Sequence, residues 1–195
     1  MPRVSEDHLI ARRAQILAAA RACFLRNGLH NTSMQDLIQE AELSVGAVYR
    51  YFKSKDEIIS AISETVAGAL VASLREIAED ETLDLMAALT RVIDLIDQQV
   101  APDGNFPMAV QVWSEATINP RIGEIVRERY AEMRSPFTAL AERAIARGEL
   151  APGTDPAMVA TALFGVIPGY ALQRQLIGNP DKAAFLAGMR ALLTR

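Results

Sequence analysis

The chain has 195 residues, of which half are hydrophobic, and a formal net charge of −4. Aromatic residues make up only 6%, and the apolar content is mostly Ala, Leu, Ile and Val, which favours helices over sheets. Cys23 is the single cysteine, which excludes an intramolecular disulfide, and we expect it to be a small buried side chain. The N-terminal run MPRVSEDHLIARR has no apolar segment followed by a small-residue cleavage site, so the sequence predicts a cytoplasmic protein without a signal peptide.

The charges are unevenly distributed along the chain. Residues 1–55 carry a net charge of +3, residues 56–110 carry −9, and residues 111–195 carry +2. A basic end beside an acidic body fits a protein that presents one face to nucleic acid and repels it elsewhere. The alternative is that most of these charges only solvate the surface.

The N-terminal segment is predicted to begin with a helix over residues 8–27, which stops at Asn27-Gly28. Residues 32–55, TSMQDLIQEAELSVGAVYRYFKSK, then read as two short helices joined by a tight turn. Thr32 and Gln35 have the spacing of a capping box at the start of the first short helix. Ser44 is expected to cap the second. The inward positions of this second helix are predicted to be Val45, Val48 and Phe52.

The remaining side of the second short helix has an unusual composition for a core helix. Its residues are small, polar or basic: Ser44, Gly46, Ala47, Arg50 and Tyr51. Small residues let the backbone approach a polyanion, while Arg and Tyr reach phosphates or base edges. Two helices with a short turn are the frame of a helix-turn-helix, whose second helix enters the DNA major groove. The alternative is an ordinary helical hairpin.

The run NTSMQDLIQEAELSVGAVYRYFKSKDEII resembles the DNA-binding signature of the tetracycline-repressor (TetR) family of regulators, most specifically over residues 44–55. The resemblance implies an all-α fold of about nine helices. A three-helix helix-turn-helix head at residues 1–54 would be joined by a long helix to a ligand-binding and dimerisation body at residues 55–195. One departure is Glu42, where the family often has a glycine in the turn. We expect a positive φ there, which costs about 1 kcal/mol for a non-glycine residue.

The resemblance and the residue types together predict the contacts with double-stranded DNA. Residues expected to hold the phosphate backbone are Thr32, Ser33, Tyr49, Tyr51 and Lys55. Residues expected nearer the bases are Ser44, Val45, Gly46, Ala47 and Arg50. In a homodimer on a palindromic operator, the two recognition helices would lie about 34–36 Å apart.

The rest of the chain is predicted to form six further helices. Ser54 and Glu57 form a second capping-box pattern, which opens a helix through about Ala78. The other helices are expected at residues 83–100, 107–118, 120–147, 155–177 and 181–193. Pro136 is expected to kink or interrupt the helix at residues 120–147, because it removes a backbone hydrogen bond.

Residues 156–173 contain no charge and reach the lower length limit for a membrane span. Pro168, two glycines and the absence of flanking basic clusters argue against a membrane. A helix that is apolar all round must bury every side, so one side is expected to face a partner subunit. The resemblance implies the same, with the last two helices of each chain packed into a four-helix dimer interface. Asp at Leu163 or Phe164 is therefore expected to damage the dimer or the fold.

The resemblance also implies a small-molecule effector that binds between the middle helices and releases a repressor from its operator. Each candidate pocket residue is also a good core residue, and the aromatic ones are the better candidates because they pair a flat apolar face with a polar tip. The candidates are Met86, Leu89, Ile93, Met108, Val112, Trp113, Tyr130, Met133, Phe137, Phe164 and Tyr170.

Catalytic and metal-binding patterns are missing from the sequence. The two histidines, His8 and His30, lie near the N-terminus, and neither metal-ligand spacing nor a Gly-rich phosphate loop nor a Ser/His/Asp set is present. The sequence therefore predicts no enzyme, no metal site and no cofactor. The alternatives to a ligand-released repressor are a related DNA-binding protein without a small-molecule ligand, and an activator.

Overall fold

A computed structural model describes residues 6–193 of the chain, and all the secondary structure in that range is helical. The predicted all-α fold of about nine helices is confirmed. The helices are α1 (Glu6–Asn27), α2 (Met34–Glu40), α3 (Val45–Tyr51), α4 (Lys55–Glu79), α5 (Leu85–Val100), α6 (Phe106–Ala116), α7 (Pro120–Ala146), α8 (Pro156–Ile177) and α9 (Lys182–Leu193).

The helix ends follow from local side-chain chemistry. Asp155 caps α8 by accepting a hydrogen bond from the Ala157 N–H at 2.8 Å, and Pro156 occupies the first turn, where no intrahelical donor is needed. At the other end of α8, Gly178 has a φ of 70°, a left-handed conformation that glycine adopts without a Cβ clash. These signals explain why the helix boundaries predicted from the sequence agree with the observed ones within a few residues.

Of the two effects predicted for Pro136, interruption of the long helix is wrong, and the kink stays a prediction. Helix α7 runs unbroken from Pro120 to Ala146 with Pro136 inside it. Pro136 is itself buried, and Phe137, Leu140 and Ala141 beside it are at most 2% exposed. Burial of this apolar side stabilises the helix by more than the one missing backbone hydrogen bond costs it.

The described residues divide into two compact units. The first contains α1, α2, α3, α4 as far as Val66, and Pro107–Arg127. The second contains Ala67–Phe106 and the chain from Glu128 onward. The division falls inside α4 and α7, so each of these helices contributes to both units. The functional boundary predicted at residues 54/55 stays a prediction.

The first unit is built around one cluster of buried apolar side chains. The cluster takes residues from α1, α2, α3 and α4 and also from α6 and α7, so the helix-turn-helix shares its core with helices from later in the chain. Its members are Ile16, Ala20, Cys23, Phe24, Leu29, Leu37, Val48, Phe52, Ile58, Ile59, Ala61, Ile62, Met108, Val112 and Ile122. Cys23 is fully buried, as predicted.

The second unit is centred on α5, which packs against α8 and α9. The buried residues of α5 recur along the helix and include Leu89, Val92 and Ile93, each at most 2% exposed. An aromatic group lies in the same unit. The Phe164 ring packs edge-to-face against Tyr130, at a centroid distance of 5.1 Å, and against Phe137 at 5.8 Å.

Helix α8 has one buried side and one exposed apolar side. Leu163 is only 4% exposed and lies in the core of its own unit, whereas Met158 and Leu176 are 72% and 74% exposed. Asp at Leu163 would therefore test the fold and not an interface. Helices α4 and α8 are long and apolar enough to cross a membrane by length and composition alone, which is weak evidence because buried core helices pass the same test.

Candidate nucleic-acid interface

The connection between α2 and α3, residues 41–44, turns sharply because Glu42 adopts a left-handed conformation. Its φ is 53°, which confirms the positive φ expected from the sequence. The Glu42 N–H donates to the Gln39 carbonyl at 3.1 Å and the Leu43 N–H donates to the Ile38 carbonyl at 3.5 Å. This pair of bonds is a Schellman motif, which satisfies the last carbonyls of α2 and directs the chain into α3.

Helix α3 is fixed by its cap and by two buried side chains. Ser44 is the N-cap, as predicted, and its hydroxyl oxygen accepts from the Ala47 N–H at 3.3 Å. Val48 and Phe52 are at most 4% exposed and hold the inner side. Val45 was predicted on the inner side as well, but it is 60% exposed because the core covers only a narrow side of this two-turn helix.

The uncovered surface of α3 carries the small, basic and aromatic residues that the sequence predicts for contact with DNA. The exposed residues are Ser44, Val45, Gly46, Tyr49 and Arg50, and Ala47 and Tyr51 are half-buried. A Cβ added at Gly46 would meet no heavy atom of the described residues within 4 Å. Packing within the chain therefore does not require glycine there, but its absent side chain leaves the α3 backbone open to close approach.

The capping box at the start of α2 is formed by Ser33 and Asp36, not by Thr32 and Gln35. The Ser33 N–H donates to the Asp36 carboxylate at 2.7 Å, and the Asp36 N–H donates to the Ser33 hydroxyl at 3.2 Å. Hydrogen bonds from the Ser33 side chain and backbone lower the pKa of Asp36. Ser33 is exposed, so this end of α2 remains accessible to a phosphate.

The side chains of Thr32 and Lys55, which were predicted to contact phosphates, form hydrogen bonds within the first unit. Thr32 is 1% exposed, and its hydroxyl donates to the Gly28 carbonyl at 2.7 Å. The Lys55 ammonium donates to the carbonyls of Leu29 at 2.9 Å and of Thr32 at 3.1 Å. The carbonyls that follow the end of α1 lack helical partners, and these two side chains supply the donors. Thr32 therefore ties the α1–α2 connection to itself, and Lys55 joins this connection to the start of α4.

Lys53 is an exposed residue outside the set predicted to contact DNA. Its ammonium donates to the Tyr49 carbonyl, and its N–H donates to the Glu57 carboxylate at 2.6 Å. The Glu57 carboxylate thus bonds Lys53 and not Ser54, so the second capping-box pattern forms in one direction only, from the Glu57 N–H to the Ser54 hydroxyl at 3.3 Å. The sequence contained a signal for a DNA contact at Lys53, because this lysine directly follows the aromatic and basic residues at the end of α3.

The candidate effector residues are divided between the units. Met108 and Val112 belong to the core cluster of the first unit. Trp113 lies in the same unit. The second unit contains Met86, Leu89, Ile93, Tyr130, Met133, Phe137, Phe164 and Tyr170. Among these, Tyr130, Phe137 and Phe164 are brought together as the aromatic group, and burial raises the pKa of Tyr130.

Tyr170 has a structural partner. It is fully buried, and its hydroxyl donates to the Asp97 carboxylate at 2.6 Å. Burial, and then the bond to Asp97, raise the pKa of Tyr170 well above its usual range. The Arg174 guanidinium lies 3.6 Å from the same Asp97 oxygen, and Lys182 pairs with Asp94 at 2.5 Å. Two carboxylates of α5 therefore hold α8 and the start of α9.

Two regions of the chain match known protein families. Residues 16–62 match the family described as bacterial regulatory proteins, tetR family, and residues 78–188 match the tetracyclin repressor-like C-terminal domain. The second match alone covers more than half of the chain. The chain belongs to the TetR family of helix-turn-helix transcriptional regulators.

The similar proteins are transcriptional regulators that align with this chain over most of their length. The chain is 28% identical over 184 residues to the HTH-type transcriptional regulator YfiR of Bacillus subtilis, covering 93% of this chain and 88% of that protein. It is 28% identical over 165 residues to the HTH-type nicotine-responsive transcriptional repressor HdnoR of Paenarthrobacter nicotinovorans, covering 84% of each. The solved structure of Salmonella enterica GusR has a TM-score of 0.81 and 26% identity, covering 98% of this chain and 99% of that one.

Proposed function

We propose that this regulator is a cytoplasmic homodimeric repressor that binds a palindromic operator and is released by a small molecule. The observation that supports DNA binding is the uncovered surface of α3. Its residues are small, basic or aromatic, while the inner side of the helix packs into the core of the first unit. A helix of this size fills the major groove, since its diameter of about 10–12 Å matches the groove width of about 12 Å.

The proposed interface uses most of the residues predicted from the sequence. Gly46 and Ala47 allow the backbone of α3 to approach the base edges, and Arg50 presents a guanidinium fork that fits guanine. Residues proposed to contact DNA are Ser33, Ser44, Val45, Gly46, Ala47, Tyr49, Arg50, Tyr51 and Lys53. Thr32 and Lys55 support this surface from within the unit through their hydrogen bonds to the α1–α2 connection.

The proposed homodimer rests on the exposed apolar sides of α8 and α9. Met158, Leu176, Ile177 and Leu192 are between 68% and 84% exposed, although large apolar side chains usually lie inside. A two-fold interface pairs the same surface of both copies, which is the symmetry of a palindromic operator.

The proposed effector response rests on the aromatic group of the second unit and on the family. Tyr130, Phe137 and Phe164 supply flat apolar faces of the kind that line small-molecule sites. HdnoR, whose name marks it as nicotine-responsive, is similar over most of this chain. To invert the populations of two states from 1:99 to 99:1, the effector must prefer one state by about 5.5 kcal/mol.

The test of the DNA-binding proposal replaces Tyr49 by Ala. A duplex is first selected by the wild-type protein from a random library, and affinities are then measured by gel shift. We expect Tyr49→Ala to abolish binding while Ile118→Ala, at an exposed position outside α3, retains it. Unfolding and light scattering confirm that both variants fold and dimerise. An unchanged affinity for Tyr49→Ala would remove this helix from the interface.

A thermal-shift screen of small molecules tests the effector proposal. A compound that raises the midpoint of unfolding is then added to the complex with the selected duplex. Release of the DNA is the expected result for a ligand-released repressor. A ligand that binds and leaves the complex intact would favour the alternatives, a regulator without a small-molecule inducer or an activator.

A further inference from the structure

A half-open notch lined by two arginines and one glutamate among apolar residues lies where the start of α1 meets the α2–α3 turn and α3. We define the notch by the residues that line its volume of about 290 Å³: His8, Leu9, Arg12, Glu42, Leu43, Ser44, Ala47, Arg50 and Tyr51. All of them belong to the first unit. No function was predicted for α1 from the sequence.

The notch shares an edge with the proposed base-reading surface. Ser44, Ala47 and Tyr51 lie at i, i+3 and i+7, so they line a single side of α3. Arg50 lines the same notch, and it is also the i+4 neighbour of Gly46 on the outward surface. The notch therefore opens along one flank of the residues proposed to contact bases.

The two arginines of the notch retain donors for a ligand. Arg12 donates to the Gln15 side chain at 2.8 Å, which uses one of the five N–H donors of a guanidinium. Arg50 forms no ion pair or hydrogen bond through its side chain with any of residues 6–193, and neither does Glu42. Arginine matches phosphate with a two-pronged geometry and is more weakly hydrated than lysine.

The position of the notch beside α3 indicates which part of the DNA it contacts. A helix in the major groove occupies nearly the full groove width, so whatever flanks the helix meets the sugar-phosphate wall and not base edges. We infer that the notch seats a backbone phosphate of the operator, held by Arg12 of α1, with Arg50 on the edge between that phosphate and the bases. This inference rests on the proposed DNA binding by α3 and extends the interface to the first helix.

Glu42 is the acidic residue of the notch. Its carboxylate opposes the approach of a phosphate, because like charges at close range repel. Glu42 thus lowers the affinity of the notch for the DNA backbone. It occupies the turn position where the family often has glycine. Removal of this charge by Glu42→Gln is expected to strengthen binding.

The experiment scans the duplex selected by the wild-type protein with single methylphosphonates, each of which removes one phosphate charge. One phosphate in each half-site should weaken wild-type binding by about tenfold and have no effect on Arg12→Gln, because the bond is already lost. The same variant should reduce the slope of log affinity against log salt by about 1.8, since a dimer has two notches and each contact contributes about 0.9.

Two further variants serve as controls. Arg75→Gln on α4, in the second unit, makes the same charge change and should leave both the slope and the methylphosphonate profile at wild-type values. Arg12→Lys keeps the charge but not the fork, so it should keep the salt slope and lose part of the affinity.

The inference fails if Arg12→Gln keeps the wild-type slope and phosphate profile. It fails equally if the loss depends on the identity of a base, which would make Arg12 a base reader, or if Glu42→Gln weakens binding. These results are distinguishable from failure of the proposed function, in which the wild-type protein selects no duplex at all.

Discussion

Both units have a core of buried apolar side chains, but they differ in what they leave exposed around the elements proposed to bind partners. The outward surface of α3 in the first unit presents Gly46, Tyr49 and Arg50. The outward sides of α8 and α9 in the second unit present Met158, Leu176 and Leu192, which are 72–84% exposed. Neither surface is explained by packing within one chain.

The difference indicates two kinds of partner. Exposed arginine and small residues cost little in water and become useful beside a polyanion. Exposed large apolar side chains forgo about 1.5–3 kcal/mol each until something covers them. The first unit therefore loses little by lacking its ligand, whereas the exposed apolar side chains of the second unit favour the proposed pairing with a second copy of the chain.

The largest effect is expected for Leu176→Asp on the proposed dimer. Because a two-fold interface contains the residue twice, loss of its burial should weaken association by on the order of 3–6 kcal/mol, or about 10²–10⁴-fold. Sedimentation at several protein concentrations measures the dissociation constant. Ile118→Asp, at a position 70% exposed in the first unit, is the matched control and should remain dimeric. If both variants dimerise like the wild type, the apolar side of α8 is not the interface.

A smaller effect is expected when the internal support of the first unit is removed by Lys55→Met. The methionine keeps most of the apolar stem but leaves the Leu29 and Thr32 carbonyls without their donor, which should cost about 3 kcal/mol. Urea unfolding at fixed protein concentration measures the loss. Lys53→Met, at an exposed lysine, should cost much less. Equal costs for the two variants would contradict a supporting role for Lys55.

In the second unit, Tyr170→Phe removes one hydrogen bond to a carboxylate and should lower the free energy of unfolding by about 1.5 kcal/mol at neutral pH. The raised pKa of Tyr170 also sets a pH dependence. Above about pH 10 the unfolded tyrosine loses its proton while the folded one keeps it, so wild-type stability falls as the pH rises.

The difference in unfolding free energy between wild type and Tyr170→Phe should therefore be constant below about pH 10 and shrink above it. Urea unfolding of both proteins between about pH 8 and 11 measures this. A difference that stays constant over the whole range would show that the Tyr170–Asp97 bond does not control the titration.

The smallest effect is expected at the turn. Glu42→Gly removes the left-handed strain at φ 53° and should raise the free energy of unfolding by about 1 kcal/mol, less the added entropy of the unfolded glycine. Glu42→Ala removes the carboxylate and keeps the strained backbone, so it should not stabilise. If alanine stabilises as much as glycine, charge and not conformation is responsible.

Local patterns in the sequence predicted much of this molecule because they act over a few residues. The cap Ser44, the helix stop at Asn27-Gly28 and the positive φ of Glu42 depend on side chains or backbone within one turn. The same locality explains the errors at Thr32 and Pro136, since a cap shifted by one residue and a buried proline are decided by packing against other helices. The DNA-contact set predicted from α3 stays a prediction.

The sequence by itself determined the helices, the helix-turn-helix and the family, because hydrophobic period, capping and turn chemistry are written in neighbouring residues. Only the tertiary structure decided which polar groups are used internally, as with Lys55 bound to carbonyls 26 and 23 residues away and Tyr170 bound to Asp97. It also decided that α6 and α7 complete the core of the helix-turn-helix, and that His8 and Arg12 line a notch with Arg50. Such contacts join residues far apart in the chain, and no local pattern encodes them.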